Sequence, residues 1–226
     1  VKYFMSCGKV NESKHLYYFL DKEGAIAAYY NGQEENVVID IPENKEVYKI
    51  CRGCFSDNLL LEKIYLGNNV KEIEESSFAN CPNLTEVQMG TGVQDIGEKA
   101  FFRCKMLSKI STLSDINKIG AYAFAECEKL DFPNMNAEIT YIGEGTFSKS
   151  GITSFRSTSK KDVVIEAYAF KDCGYLTNIE LLSNLKTIEE GTFQNCETMI
   201  QAEFSESITR IGAYAFAKCS ELNKIE

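Results

Sequence analysis

Apolar positions along this chain recur with a period of 23 residues. A phenylalanine stands at Phe55, Phe78, Phe101, Phe124, Phe147, Phe170, Phe193 and Phe216. Five positions before each comes an isoleucine: Ile50, Ile73, Ile96, Ile119, Ile142, Ile165, Ile188 and Ile211. Eight consecutive copies keep the spacing without one change. Three residues after the phenylalanine, six copies carry Cys81, Cys104, Cys127, Cys173, Cys196 and Cys219, while Asn58 and Ser150 replace it in two. Three residues further stand Leu61, Leu84, Leu107, Leu130, Leu176, Met199 and Leu222. The unit reads L-x-x-I-x-L, a short gap, then V-x-x-I-G-x-x-A-F-x-x-C.

The two halves of the unit have different periods. Leu84, Val87 and Met89 follow the pattern of a repeat strand, with Val87 and Met89 spaced for one pleat face. Ile96, Ala100, Phe101 and Cys104 have helical spacing. That segment is too short for a free helix, so it predicts one or two α or 3₁₀ turns held by packing. A single coil cannot bury its apolar face alone, so the coils must stack, roughly 4.8 Å apart where parallel strands join them. The first forty residues break the pattern. Leu16–Leu20 and Ala25–Tyr29 flank Asp21-Lys22-Glu23-Gly24, a hairpin signal. This gives a capping hairpin over residues 1–35 and a solenoid of about eight coils over 36–226. Ile225-Glu226 begins a further strand, so the array is expected to be truncated there, with self-association at the uncapped end.

Composition narrows the functional classes. A net charge of −9 argues against a nucleic-acid partner. No stretch of eighteen apolar residues exists to span a membrane. Nine cysteines invite a disulfide or metal reading, but six share one repeat position. Stacking gives them parallel Cβ vectors at the strand spacing, whereas disulfides need Cβ atoms about 3.8 Å apart and turned together. A column of buried free thiols is the better reading. Cys51-Arg52-Gly53-Cys54 is a lone C-x-x-C without further zinc ligands at suitable spacing, and Cys54 falls on the small buried position shared with Ala100 and Ala123. Cys7 is either free or paired. His15 is the single histidine and lies in the hairpin, where nothing orients it for nucleophilic catalysis. The carboxylates sit at exposed repeat positions, without the cleft a glycosidase pair needs. No catalytic, cofactor-binding or metal residue is assigned.

The strings IGEKAFFRC, IGAYAFAEC, IEAYAFKDC and IGAYAFAKC resemble the BspA-type leucine-rich repeats. The leading YYFLDKEGAIAAYYNG…VVIDIPE resembles the hairpin that opens such domains. The resemblance covers nearly the whole chain. It implies a right-handed, curved α/β leucine-rich-repeat solenoid with an N-terminal β-hairpin cap. It also implies an extracellular or cell-surface protein that adheres to a protein or glycan on host matrix or another cell, with no catalytic residues. The alternatives are a spacer or accessory region of a larger surface enzyme, and a hydrolase with an unrecognised site. The fifth copy departs from the pattern. Ile152 and Phe155 come one residue early, and Arg156 to Asp162 replace the usual gap, which predicts a bulge or altered strand.

The outward face of the strands is the expected ligand surface. Its candidates are Lys63, Tyr65, Glu86, Gln88, Lys109, Phe132, Asn178, Glu180, Gln201 and Glu203. A second period lies inside the first. Tyr122, Gly145, Tyr168, Gly191 and Tyr214 alternate, in step with Ala123, Thr146, Ala169, Thr192 and Ala215. Duplication of a two-coil unit explains this. So does steric need, since a tyrosine is larger than the coil spacing and a glycine leaves it room to lie across the next coil. Rings standing clear would instead make a sugar-stacking ladder.

Overall fold

The structure, a computed structural model, describes residues 48–111, 116–131, 139–157, 159–181 and 184–226 with side chains, and the strand backbones 16–20, 26–30 and 37–40. Leu16–Leu20 pairs antiparallel with Ile26–Tyr30. Val37–Asp40 then runs parallel to Leu61–Tyr65, so the array has begun by that strand.

Every described strand pairing after the hairpin is parallel. The L-x-x-I-x-L segments form a row of longer strands in two four-stranded sheets. One holds Val37–Asp40, Leu61–Tyr65, Glu86–Gln88 and Lys109–Ser111; the other holds Ser154–Ser157, Asn178–Leu181, Gln201–Phe204 and Lys224–Ile225. The V-x-x-I segments form a second row of shorter strands, seven of which make one sheet from Lys49–Ile50 to Asn184–Leu185. Registers step by one repeat, as in Lys63↔Glu86 and Ile73↔Ile96. Such stacking buries what one coil cannot.

The fifth copy shows how the array absorbs an irregularity. Ser154 pairs with Asn178, one residue out of the repeat step, whereas Val164 pairs with Tyr141 in step. One residue is dropped between Ser150 and Ile152, and against the following coil the offset falls from 24 at Ser157↔Leu181 to 22 at Asp162↔Asn184, so two residues are added between Ser157 and Asp162. The short strand that follows lengthens to Asp162–Ile165, the altered strand that the sequence suggests.

The core consists of columns. The phenylalanines from Phe55 to Phe193 are at most 2 % exposed. Their rings stack between 5.0 and 5.8 Å apart, from Phe55–Phe78 to Phe124–Phe147. The isoleucine column is buried beside it until the last coil, where Ile211 is 56 % exposed. Tyr214 and Ile225 are exposed there too.

The connection from short strand to long strand differs from the expected helical turns. Among the described residues there is no α or 3₁₀ segment. Residues 52–57, 75–80 and their counterparts form consecutive hydrogen-bonded turns. The reason is visible in the backbone bonds, which alternate. The N–H groups of Gly53, Phe55 and Asp57 donate to Glu75, Ser77 and Ala79 of the next coil. Those of Cys54, Ser56 and Asn58 donate three residues back within their own coil. A helix would direct every amide inward along its axis, leaving nothing to join the coils. Two residues per turn segment take left-handed φ to make the alternation, for example Ser76 (55°) and Asn80 (57°), or Lys99 (54°) and Arg103 (60°).

The thiols occupy the end of this segment. Cys81, Cys104, Cys127, Cys173 and Cys196 are buried and unbridged, and Cys219 is half-buried and unbridged. Each Sγ–H donates to the carbonyl of the phenylalanine in the preceding coil, as in Cys81 to Phe55 and Cys104 to Phe78, both 3.1 Å. Ser150 takes the site as a small polar substitute, 3.7 Å from the Cys173 sulfur. Burial pushes the Cys104 and Cys127 thiols up, out of reach of ordinary pH. The Cys196 thiol rises through its hydrogen bond with Cys173, followed by burial.

These shifts set a pH dependence. An acid whose folded pKa lies above its unfolded value, ordinarily 9.0 for these thiols, binds its proton more tightly when folded. Its contribution is fully present below that value and is lost as pH rises. We expect the urea unfolding midpoint to be level from neutrality to about pH 8 and to fall beyond about pH 9. Replacing Cys127 with Ala should lower the midpoint and flatten that fall. An alkaline limb identical in wild type and Cys127→Ala would refute the role given to the buried thiols.

Candidate functional site

Two outward faces carry the polar chemistry. The first is the long-strand row. Its outward positions are brought into register by the parallel pairing: Lys63, Glu86 and Lys109 form one column, and Tyr65, Gln88 and Ser111 the next. Between them Ile64, Val87 and Ile110 point inward and are buried. In the second sheet Asn178 lies beside Gln201, and Glu180 beside Glu203. Nine of the ten sequence candidates thus lie on these strands, in two groups. Phe132 falls outside the described residues.

Like charges one coil apart repel, and opposite signs alternate along Lys63, Glu86 and Lys109, whereas Glu180 and Glu203 stand side by side in the second sheet. Glu86 receives Lys63 and Lys109 at 3.1 Å each. Those bonds, Lys63 first, hold its carboxyl below the usual range and raise the Lys63 ammonium. Arg156 reaches Glu180 at 3.0 Å. Exposed pairs of this kind contribute little to stability; they arrange the surface. Sequence reasoning missed Arg156, whose position in the irregular copy hid its register.

The second face is the turn segment. Tyr122 and Tyr168 occupy left-handed positions, φ 55° and 60°, in register with Gly145 and Gly191 of the following coils, φ 57° and 56°. A Cβ built on Gly145 would overlap the Tyr122 ring, and one on Gly191 would overlap Tyr168. Each ring therefore lies across the next coil's backbone, as the steric reading requires. The Tyr168 hydroxyl donates to Glu190 at 2.5 Å, and that of Tyr122 donates to Glu144. The Glu144 carboxylate and partial burial push Tyr122 up to about 12. Beside the rings, a groove of about 470 Å³ runs over Ala125, Gly145 and Ser148.

Cys51 and Cys54 are half-buried and unbridged. Among the described residues, no group of three or more His, Cys, Asp or Glu side chains could hold a metal ion. No helix among them is long and apolar enough to cross a membrane.

Short parallel strands, one per 23-residue coil, around columns of Leu, Ile and Phe define a leucine-rich-repeat solenoid. The family model for the BspA type leucine rich repeat region matches residues 48–164 and 158–226 in six copies, and the chain belongs to that family. Among solved structures it is similar to the Treponema pallidum leucine-rich repeat protein, with a TM-score of 0.64 and 20% identity, covering 95% of this chain and 91% of that one. It is also similar to a leucine-rich cell surface protein of Faecalibacterium prausnitzii A2-165, with a TM-score of 0.53 and 18% identity, covering 98% and 95%. The pneumococcal vaccine antigen PcpA matches with a TM-score of 0.54 and 13% identity, covering 98% of this chain and 71% of that one. At these identities the likeness is one of fold. No curated protein matches the chain.

The glycines of the turn face allow strain and crowding to be separated. At Gly174 a Cβ would meet nothing within 4 Å, and φ is not left-handed. At Gly53 there is equal room but φ is +62°; at Gly191 a left-handed φ of +56° combines with the Tyr168 ring. We expect Gly174→Ala to leave the urea midpoint unchanged and Gly53→Ala to cost about 1 kcal/mol for the left-handed residue. Gly191→Ala should cost roughly 1–3 kcal/mol more than Gly53→Ala, because the ring must swing off and abandon Glu190. Equal losses for Gly53→Ala and Gly191→Ala would show that the tyrosines do not need the glycines.

Proposed function

We propose that this chain is a non-catalytic binding module of a secreted or surface-displayed protein, recognising a protein on host matrix or another cell through the outward face of its long strands. The observation that carries this reading is the registered row of Lys63, Glu86, Lys109, Tyr65 and Gln88, all outward beside a buried inner row. A rigid row of mixed charge and an aromatic offers broad, flat contact, the use to which repeat proteins put their strand faces. Membership of the BspA-type family and likeness to a cell surface protein and a pneumococcal antigen support the location.

The test is surface plasmon resonance against a panel of purified extracellular-matrix proteins. At least one should bind. Lys109→Glu with Asn178→Arg should weaken it at least tenfold, about 1.4 kcal/mol, while unfolding shifts by less than about 0.5 kcal/mol because both side chains are exposed. Binding that survives this double change, or an empty panel, would overturn the assignment to the strand face.

A further inference from the structure

The groove on the turn face is a built depression. Along one turn position the coils carry Phe102, Ala125, Ser148 and Lys171, so two small residues lie between two large ones. Along the neighbouring position Gly145 lies between Tyr122 and Tyr168. The result is a trough about two coils long, floored by Ala125 and Ser148 and bordered by Tyr122, which covers Gly145, and by Tyr168. Its volume of about 470 Å³ falls inside the range of small-ligand clefts.

We propose that this groove binds a neutral, β-linked oligosaccharide lying along the array, with sugar rings against Tyr122 and Tyr168. Three features of the site point to that chemistry. The first is that the rings are preset. Tyr122 rests on Gly145 with its hydroxyl tied to Glu144, and Tyr168 rests on Gly191 with its hydroxyl tied to Glu190. One face of each ring lies on the next coil, and the Lys99 and Lys171 ammonium groups stand 5.9 and 5.3 Å from the Tyr122 and Tyr168 ring centroids, so a sugar settles on the outer face of an already ordered ring by displacing a lysine. The second is charge. The groove sets Lys99, Lys149 and Lys171 against Glu126, Glu144 and Asp172, a balance of zero within a chain of net charge −9. Interleaved carboxylate acceptors and ammonium donors suit a ligand dense in hydroxyl groups, which both donates and accepts. They do not suit a polyanion, which needs a basic excess. The third is spacing. Coils joined by parallel strands lie about 4.8 Å apart, which puts the tyrosines, two coils apart, about 10 Å from one another along the array. An extended β-linked chain presents equivalent ring faces every second sugar, at a comparable interval, and runs straight. An α-linked chain coils away.

The chain contains no tryptophan and twelve tyrosines, of which Tyr122 and Tyr168 line the groove, so the emission change lost in a Tyr122→Phe, Tyr168→Phe variant is the groove's own signal. Cellotetraose and N-acetylated chitotetraose are the probes, with α-linked maltotetraose as the contrast, each titrated to millimolar concentration by fluorescence and calorimetry. We expect saturable binding of at least one β-linked probe and weaker binding of maltotetraose. Ser148→Arg fills the trough at a position that already holds Phe102 and Lys171 in other coils, so the fold accommodates it. It should reduce binding at least tenfold with an unchanged melting temperature. Lys109→Glu, on the strand face, should leave saccharide binding intact, which separates this site from the protein-binding face. Absence of binding by both β-linked probes, preference for maltotetraose, or equal binding by Ser148→Arg would overturn the proposal.

Discussion

Half of the turn backbone cannot be satisfied within its own coil, and the rest of the structure follows from that. Gly53, Phe55 and Asp57 place their N–H groups on carbonyls of the next coil, and the pattern recurs at Ser76, Phe78 and Asn80 and at Lys99, Phe101 and Arg103. A buried amide left without a partner costs more than an ordinary hydrogen bond contributes. Each coil must therefore meet the next at a fixed offset, and every position becomes a column. The unbroken interval between phenylalanines is the trace of this requirement in the sequence. Where the chain changes length, at Ser157 to Asp162, it does so outside the turn segment, between one strand row and the other.

The cysteine column follows from the same bonding. The phenylalanine carbonyl at the heart of the turn accepts the cysteine amide of its own coil, as Phe101 accepts Cys104. Its second lone pair faces the next coil, where no amide is available. The thiol of Cys127 supplies the missing donor to Phe101. The position needs a side chain small enough for the column, apolar enough for the Phe and Leu around it, and able to donate. Cysteine meets all three, and serine meets them at Ser150. Hydroxyls do comparable work one column away, where Ser77 and Thr146 donate to turn carbonyls and alanine fills the site in other coils.

Side-chain period was legible in the sequence; backbone handedness was not. The strand rows, the buried Ile, Phe and Cys columns and the parallel stacking all follow from apolar spacing. The turns were read as helical because Ile96, Ala100, Phe101 and Cys104 are spaced as on a helix, and the same spacing serves a chain of turns with two left-handed residues. Glycine advertises one of these positions at Gly53, Gly145 and Gly191, but Ser76, Lys99, Arg103 and Glu126 hold left-handed positions elsewhere. They tolerate the conformation because the bond from each N–H to the following coil fixes it. On the strand face, a constant offset identified Lys63, Glu86 and Lys109 as neighbours. The same offset failed for Arg156 and Glu180, whose strands pair one residue out of step. The turn-face groove was illegible as a groove, since it arises from which small residues happen to be adjacent after stacking.

Columns also explain why the array admits large rings only in particular places. Phenylalanine repeats in every coil because its rings stack nearly parallel, within 4° from Phe55 to Phe147, and each occupies little more than one coil's thickness. A tyrosine at the left-handed turn position has no such freedom. Its ring projects along the array and covers the backbone of the following coil, so a side chain there would occupy the same space. Tyrosine and glycine must therefore alternate wherever tyrosine is used at all, and the doubled period of the later coils has a steric cause whatever its ancestry. The alternation gives each covering ring a carboxylate in the next coil for its hydroxyl, Glu144 for Tyr122 and Glu190 for Tyr168. Each of these rings is thus held by the coil that follows it, and order on this face is a property of the stack.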